Sequence, residues 1–278
     1  MNADDDLPVE HVWCRGEIIP PSDLAVPVTD RVFEHGLGLF ETMRGENGGV
    51  PLWKLHRNRL AASAHALGLS LDEARLPRQG DFAALSEANR LGPLSRLRLV
   101  LTGGTAGSPG QVFVTARRLK PMITVGLKLA DRFWPVDPRD PLIRYKSLNY
   151  WARRIAHEQA VASGADDALS QDPQGNLWES AHAALFLVSG GRWFAPAADG
   201  PMLASVAASE IERLLSLPGG SGLTRQPVTV EQLAGADEVI LANATWGPMS
   251  VAAWGDRHYE PSGPAFSALR ELWRNAWF

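Results

Sequence analysis

The chain has 278 residues and a net charge of −4, with 45% hydrophobic and 21% charged residues, the make-up of a soluble globular protein of one large or two small domains. No basic block is present, which excludes nucleic acid and anionic membrane surfaces as partners, and no run of about 18 apolar residues offers a bilayer span. The opening MNADDDLPVE lacks the charged and apolar regions of a signal peptide, and the one cysteine, Cys14, has no partner for a disulfide; both point to a cytoplasmic protein with Cys14 in the core.

Residues 9–20 read as a short hairpin. From Val26 to Gly45 the chain runs VPVTDRVFEHGLGLFETMRG, in which His35 to Gly38 form a tight turn before a strand. Alternation along that strand puts Phe40 and Thr42 on one face and Glu41 and Met43 on the other. ENGG marks a hairpin turn, and Leu52, Leu55, Leu60, Ala64 and Leu67 then recur at helical spacing. A short helix over 82–91 and two alternating strands, 96–104 and 111–119, complete a small α+β domain over residues 1–121. The linker is expected at Leu119 to Met122, and residues 122–278 form the larger domain, opening with ITVGLKLAD at 123–131.

In that domain a helix from Asn149 to about Ser163 is closed by Gly164, and DPQGN separates two strands, with Glu179 on the second. SGGR makes another hairpin, ASEIERLL a helix, ADEVILAN a strand ending before a Trp-Gly-Pro turn, and PAFSALRELWRNAWF a last amphipathic helix. His11, His65, His157, His182 and His258 show no metal-ligand spacing, so no metal is expected. The ten tryptophans are read as core and cleft lining, since the basic channel of a nucleic-acid platform is missing.

Of the 27 lysines and arginines only Lys54, Lys120, Lys128 and Lys146 are lysine. A chain that otherwise uses arginine and keeps Lys146 beside apolar segments has an amine that can lose its proton, which a guanidinium cannot. A neutral lysine forms a Schiff base with an aldehyde, and pyridoxal phosphate is the commonest such cofactor; it also needs an acid beside its ring nitrogen, for which Glu179 is placed one helix and one hairpin downstream. An unrelated surface lysine and surface glutamate would read the same from spacing alone.

Lys146, Asn149, Tyr150, Gly164 to Ala168, Gly175, Glu179, Ser180 and Phe186 together resemble the signature of the class IV aminotransferases, the fold-type IV pyridoxal phosphate enzymes. The likeness runs from about Val12 to Val251. It implies a two-domain α+β fold with pyridoxal phosphate between the domains, a small-molecule amino substrate, and a homodimer. It makes Lys146 the Schiff-base lysine and proton shuttle, Glu179 the ring-nitrogen partner, and Tyr150 a neighbour of the phenolic oxygen. His56, Arg59 and Leu60 match the family's His-x-x-Arg-Leu, which assigns Arg59 to the phosphate. His35, Phe40, Thr42 and Arg98 are the implied substrate contacts.

The phosphate cradle departs from the family. Leu203 to Ala208 read LASVAA, without the usual Gly, Thr and Arg, and Ala184 replaces the usual Asn. Ser205, Val206 and Ala207, at a helix start whose free amides suit an anion, and Ala244 and Thr245 after the strand remain the implied phosphate contacts. HGLGLFETMR and Asn243-Ala244 resemble the aminodeoxychorismate lyase branch, which releases pyruvate and para-aminobenzoate for folate synthesis. The alternatives are an aminotransferase of D-amino acids, branched-chain amino acids or amines, and a non-catalytic pyridoxal-fold binding protein.

Overall fold

The computed structural model describes residues 9–119 and 125–277, which divide into two compact units. The first holds residues 9–119 together with Tyr145–Asn149; the second holds 125–144 and 150–277. The acidic start, up to residue 8, and all of the expected linker beyond Leu119 lie outside the described residues. Lys146, expected in the later domain, lies by contact in the first unit.

The first unit is built on a five-stranded antiparallel sheet in the order β2-β1-β5-β4-β3, formed by β1 (Val12–Cys14), β2 (Glu17–Ile19), β3 (Gly38–Glu46), β4 (Leu94–Thr102) and β5 (Val112–Arg118). Three helices accompany it: α1 (Arg31–His35), α2 (Trp53–Ala66) and α3 (Gln79–Ala88), the last beginning three residues before the sequence expectation. Leu39 and Met43 of β3 and Leu97, Leu99 and Leu101 of β4 face Leu60 and Ala64 of α2 and Phe82 and Leu85 of α3. Each such buried leucine, methionine or phenylalanine contributes roughly 1.5–3 kcal/mol of transfer free energy. Cys14 is buried, as expected.

The second unit contains a ten-stranded sheet with the main order β15-β14-β13-β10-β9-β8-β7. Its strands are β6 (Leu127–Leu129), β7 (Trp134–Pro135), β8 (Leu169–Gln171), β9 (Leu177–Ser180), β10 (Ala184–Ser189), β11 (Arg192–Ala195), β12 (Thr224–Arg225), β13 (Glu238–Asn243), β14 (Gly247–Trp254) and β15 (Arg257–His258). β6 adds to β14, and β11 joins β10 and β12. The helices are α4 (Trp151–Ala162), α5 (Val206–Leu215), α6 (Val230–Gly235) and α7 (Pro264–Trp277). One core lies around Leu185, Leu187, Leu241 and Val251; another joins Ala156 and Ala160 of α4 to Trp134, Trp178 and Ala181. Among the described residues no helix is long and apolar enough to cross a membrane.

Candidate active site

In the first unit, the stretch before β3 is a helix with a turn at its end. Asp30 caps α1 by accepting the Val32 amide at 2.9 Å, and Gly36 closes it in the left-handed region at φ +66. A side chain at Gly36 would place its Cβ 2.7 Å from Asn149 Oδ1, and Asn149 Nδ2 donates to the Gly36 carbonyl at 3.2 Å. The Phe40 amide donates to the Lys146 carbonyl at 2.9 Å and the Leu148 amide to Gly38 at 3.0 Å. Tyr145–Asn149 is thereby paired against the start of β3, which fixes where Lys146 leaves the backbone.

The Lys146 amine lies 4.6 Å from the centroid of the Phe40 ring. The Arg98 guanidinium lies 3.8 Å from the same centroid. Thr42 is opposite Arg98 in the β3–β4 register, so Phe40, Thr42 and Arg98 share the sheet face turned away from α2 and α3. His35 is not drawn into this group; its side chain is 64% exposed and lies 4.0 Å from Glu34.

On the opposite face of β3, Glu41 is buried between His56 and Arg59 of α2. His56 Nδ1 is 2.6 Å from Oε2, and Arg59 donates to both carboxylate oxygens, through Nε to Oε1 at 2.8 Å. Burial alone would push the Glu41 carboxyl up, but the Arg59 charge and the His56 and Arg59 hydrogen bonds outweigh it and hold Glu41 at about 2. Burial pushes His56 down against the pull of Glu41, and the Arg59 and Lys146 charges add to the fall. A neutral His56 must then donate from Nδ1, because a carboxylate can only accept. Arg59 therefore has its guanidinium oriented by a carboxylate that sequence reading passed over. The signal was there: Glu41 sits at the inward position of β3, where a bare charge would be costly.

In the second unit, Glu179 of β9 is buried, and its Oε1 accepts both the Arg153 guanidinium and, at 2.7 Å, the Leu203 amide. Arg153 rises from α4 and is held near two rings, 5.5 Å from the centroid of Trp134 and 5.7 Å from that of Tyr150. Tyr150 precedes α4, and its hydroxyl is 3.5 Å from the Ala181 carbonyl. Ser205 caps α5, accepting the Ala208 amide at 3.2 Å, with Val206 and Ala207 buried in the first helical turn. A cavity of about 200 Å³ in this unit is lined by Glu179, Leu203, Ser205, Ala208 and Arg225 among others. Thr245 follows β13 in a turn in which the Thr245 and Trp246 amides both donate to Asn243 Oδ1 at 3.0 Å, with Ala244 between Asn243 and Thr245.

The amino-transferase class IV family model matches residues 38–254, and the chain belongs to that family. It is 26% identical over 245 residues, 83% of each sequence, to a protein of Methanocaldococcus jannaschii provisionally named a branched-chain-amino-acid aminotransferase. Its fold matches that of the branched-chain aminotransferase of Thermoproteus uzoniensis with a TM-score of 0.86 at 21% identity, over 95% of this chain and 93% of that one. It also matches a protein of Legionella pneumophila provisionally named a 4-amino-4-deoxychorismate lyase, with a TM-score of 0.78 at 24% identity, over 92% and 97% of the two chains. The chain is an enzyme with the two-domain α+β architecture of the class, and its cofactor is pyridoxal phosphate. Each unit taken by itself carries residues that suit that group: the first an amine against an aromatic ring, the second a buried carboxylate and a hydroxyl at a helix start that line one cavity.

Proposed function

We propose that the chain is a pyridoxal phosphate-dependent lyase that converts 4-amino-4-deoxychorismate to para-aminobenzoate and pyruvate. The observation that carries this reading is the meeting of the Lys146 amine and the Arg98 guanidinium on the single ring of Phe40. A planar cation that forks onto carboxylates there shares that ring with the amine that moves the proton. A branched-chain amino acid has one carboxylate and an apolar branch, whereas 4-amino-4-deoxychorismate has two carboxylates and no such branch. HGLGLFETMR and Asn243-Ala244 support the same branch of the family.

When bound, the cofactor supplies a ring that takes up negative charge from the carbon bearing the substrate nitrogen. Lys146 would hold the cofactor and, once substrate is bound, its amine would take the proton from that carbon. Glu179, oriented by Arg153 and the Leu203 amide, would keep the ring nitrogen of the bound cofactor protonated, and Tyr150 would face its phenolic oxygen. In the first unit Arg59, held by Glu41, would hold the cofactor phosphate; in the second, the α5 start at Ser205, Val206 and Ala207 and the Ala244–Thr245 turn would offer it amides and a hydroxyl. Phe40, Thr42 and Arg98 orient the substrate. In the lyase reaction the enolpyruvyl C–O bond breaks, the ring becomes aromatic, and the departing enolpyruvate takes a proton to give pyruvate, so no second substrate is consumed. The enzyme acts in the cytoplasm as a homodimer.

A second reading, amino transfer from branched-chain amino acids, is favoured by the name of the Methanocaldococcus relative; D-amino acids and amines are further amino donors for the same reading. The test is to give cofactor-loaded protein 4-amino-4-deoxychorismate without a keto acid and to follow para-aminobenzoate fluorescence and pyruvate. Equal amounts of both products from the wild type, and none from Lys146→Ala, are expected. Amino transfer to 2-oxoglutarate without para-aminobenzoate would replace the lyase by the second reading.

A further inference from the structure

We propose that His157, Asp167 and His182, all in the second unit, form a binding site for one divalent transition-metal ion of the zinc class. The three residues are far apart in sequence, and the fold gathers them. His157 lies on α4, Asp167 follows the Gly164 turn that ends that helix, and His182 occupies the short connection from β9 to β10. One nitrogen of each imidazole and one carboxylate oxygen all lie within 4.8 Å of one another. The rings are 4.3 Å apart between centroids and inclined at 88°.

The gaps between these atoms are what single out a metal. Asp167 Oδ1 is 4.0 Å from His157 Nδ1, and Oδ2 is 3.6 Å from His182 Nδ1. Both are too long for a hydrogen bond. Two coordinate bonds of about 2 Å, closed to a tetrahedral angle, place ligand atoms roughly 3.3 Å apart, so small side-chain rotations are enough to seat an ion. His157 Nδ1 is moreover buried with no hydrogen-bond partner, a lone pair or proton left without a use among the described residues.

The carboxylate is pre-set for the task. Oδ1 accepts the Ala168 amide at 2.9 Å and Oδ2 the Ser180 hydroxyl at 2.8 Å, the outer-shell support that fixes a ligand's direction. Ser180 in turn pins the His182 turn, its Oγ accepting the Ala183 amide at 2.9 Å. The two imidazoles are the adjustable part, with side chains 34% and 41% exposed, which leaves a path for the ion and open positions for water. Two nitrogens and one oxygen suit zinc, nickel or copper; calcium and magnesium require oxygen ligands.

The experiment is a calorimetric titration of tag-free, chelator-treated full-length protein with zinc chloride, and separately with magnesium chloride, near neutral pH. One zinc per chain and no magnesium binding are expected, with His157→Ala and His182→Gln each weakening zinc by about tenfold or more and the double variant losing the site. Zinc-edge X-ray absorption of the wild type should show imidazole and carboxylate ligands. Absence of saturable zinc binding, an unchanged affinity in the double variant, or sulfur ligation would each overturn the proposal.

Discussion

The Arg153 guanidinium and the Leu203 amide converge on one oxygen, Oε1 of Glu179. Arg153 and Glu179 are both buried, at 7% and 3% exposure, so neither partner can be removed without stranding the other's charge. Arg153→Leu is expected to lower the unfolding free energy by about 3–5 kcal/mol. The combination with Glu179→Gln should cost less than the single change, because no bare carboxylate remains. Urea denaturation of the two variants measures this; a loss under about 1 kcal/mol in Arg153→Leu would show that Glu179 needs no such partner.

Glu41 makes stability depend on acid. Its carboxyl is depressed in the folded chain, from the ordinary 4.5 to about 2, so its contribution is complete above about pH 4.5 and disappears as the pH falls toward 2. At 1.36 kcal/mol per unit this amounts to about 3 kcal/mol. His56, pushed down by burial, works in the same direction at higher pH, because the unfolded chain takes up its proton first. Thermal unfolding followed through this range should fall steeply for the wild type and more gently for Glu41→Gln. Parallel curves for the two proteins would refute the assignment.

Gly36 is required twice over, by its positive φ and by the closeness of Asn149. Gly36→Ala is expected to cost roughly 1–2 kcal/mol for the left-handed conformation alone, and more where Asn149 is forced away. Because Asn149 belongs to the same short segment as Lys146, turnover should drop even when the variant is fully folded. Kinetics at a temperature well below the unfolding transition separate the two effects. Unchanged turnover would mean that the Gly36–Asn149 contact does not position Lys146.

Local patterns carried most of the secondary structure. The alternation in LFETMR, the apolar spacing of α2, and the turns at DPQGN and SGGR were readable because each is settled within a few residues. The short helices α1 and α6 were missed, although Asp30 before one and Thr229 with Gln232 at the other are cap signals. Lys146, Arg98 and Glu179 could be named as candidates from the sequence. That Lys146 and Arg98 share one ring could not, since the pairing of β3 with β4 and with the Tyr145–Asn149 segment decides it. Arg153 looks like any helix arginine until Trp134 and Tyr150 close around it. His157 and His182 are separated by a helix end and two strands, and only the β9–β10 turn brings their rings together.

The first unit is discontinuous in sequence. The chain runs through residues 9–119, leaves, and returns for the five residues Tyr145–Asn149 before departing again. A fragment ending at residue 119 would lack the partner of Gly38 and Phe40, leaving the start of β3 as an open edge able to pair with another chain. It would also lack Lys146 itself. Neither unit can therefore be excised as one continuous piece of chain, and gene fusions or domain exchanges cut at the apparent boundary would separate the amine from the strand that holds it.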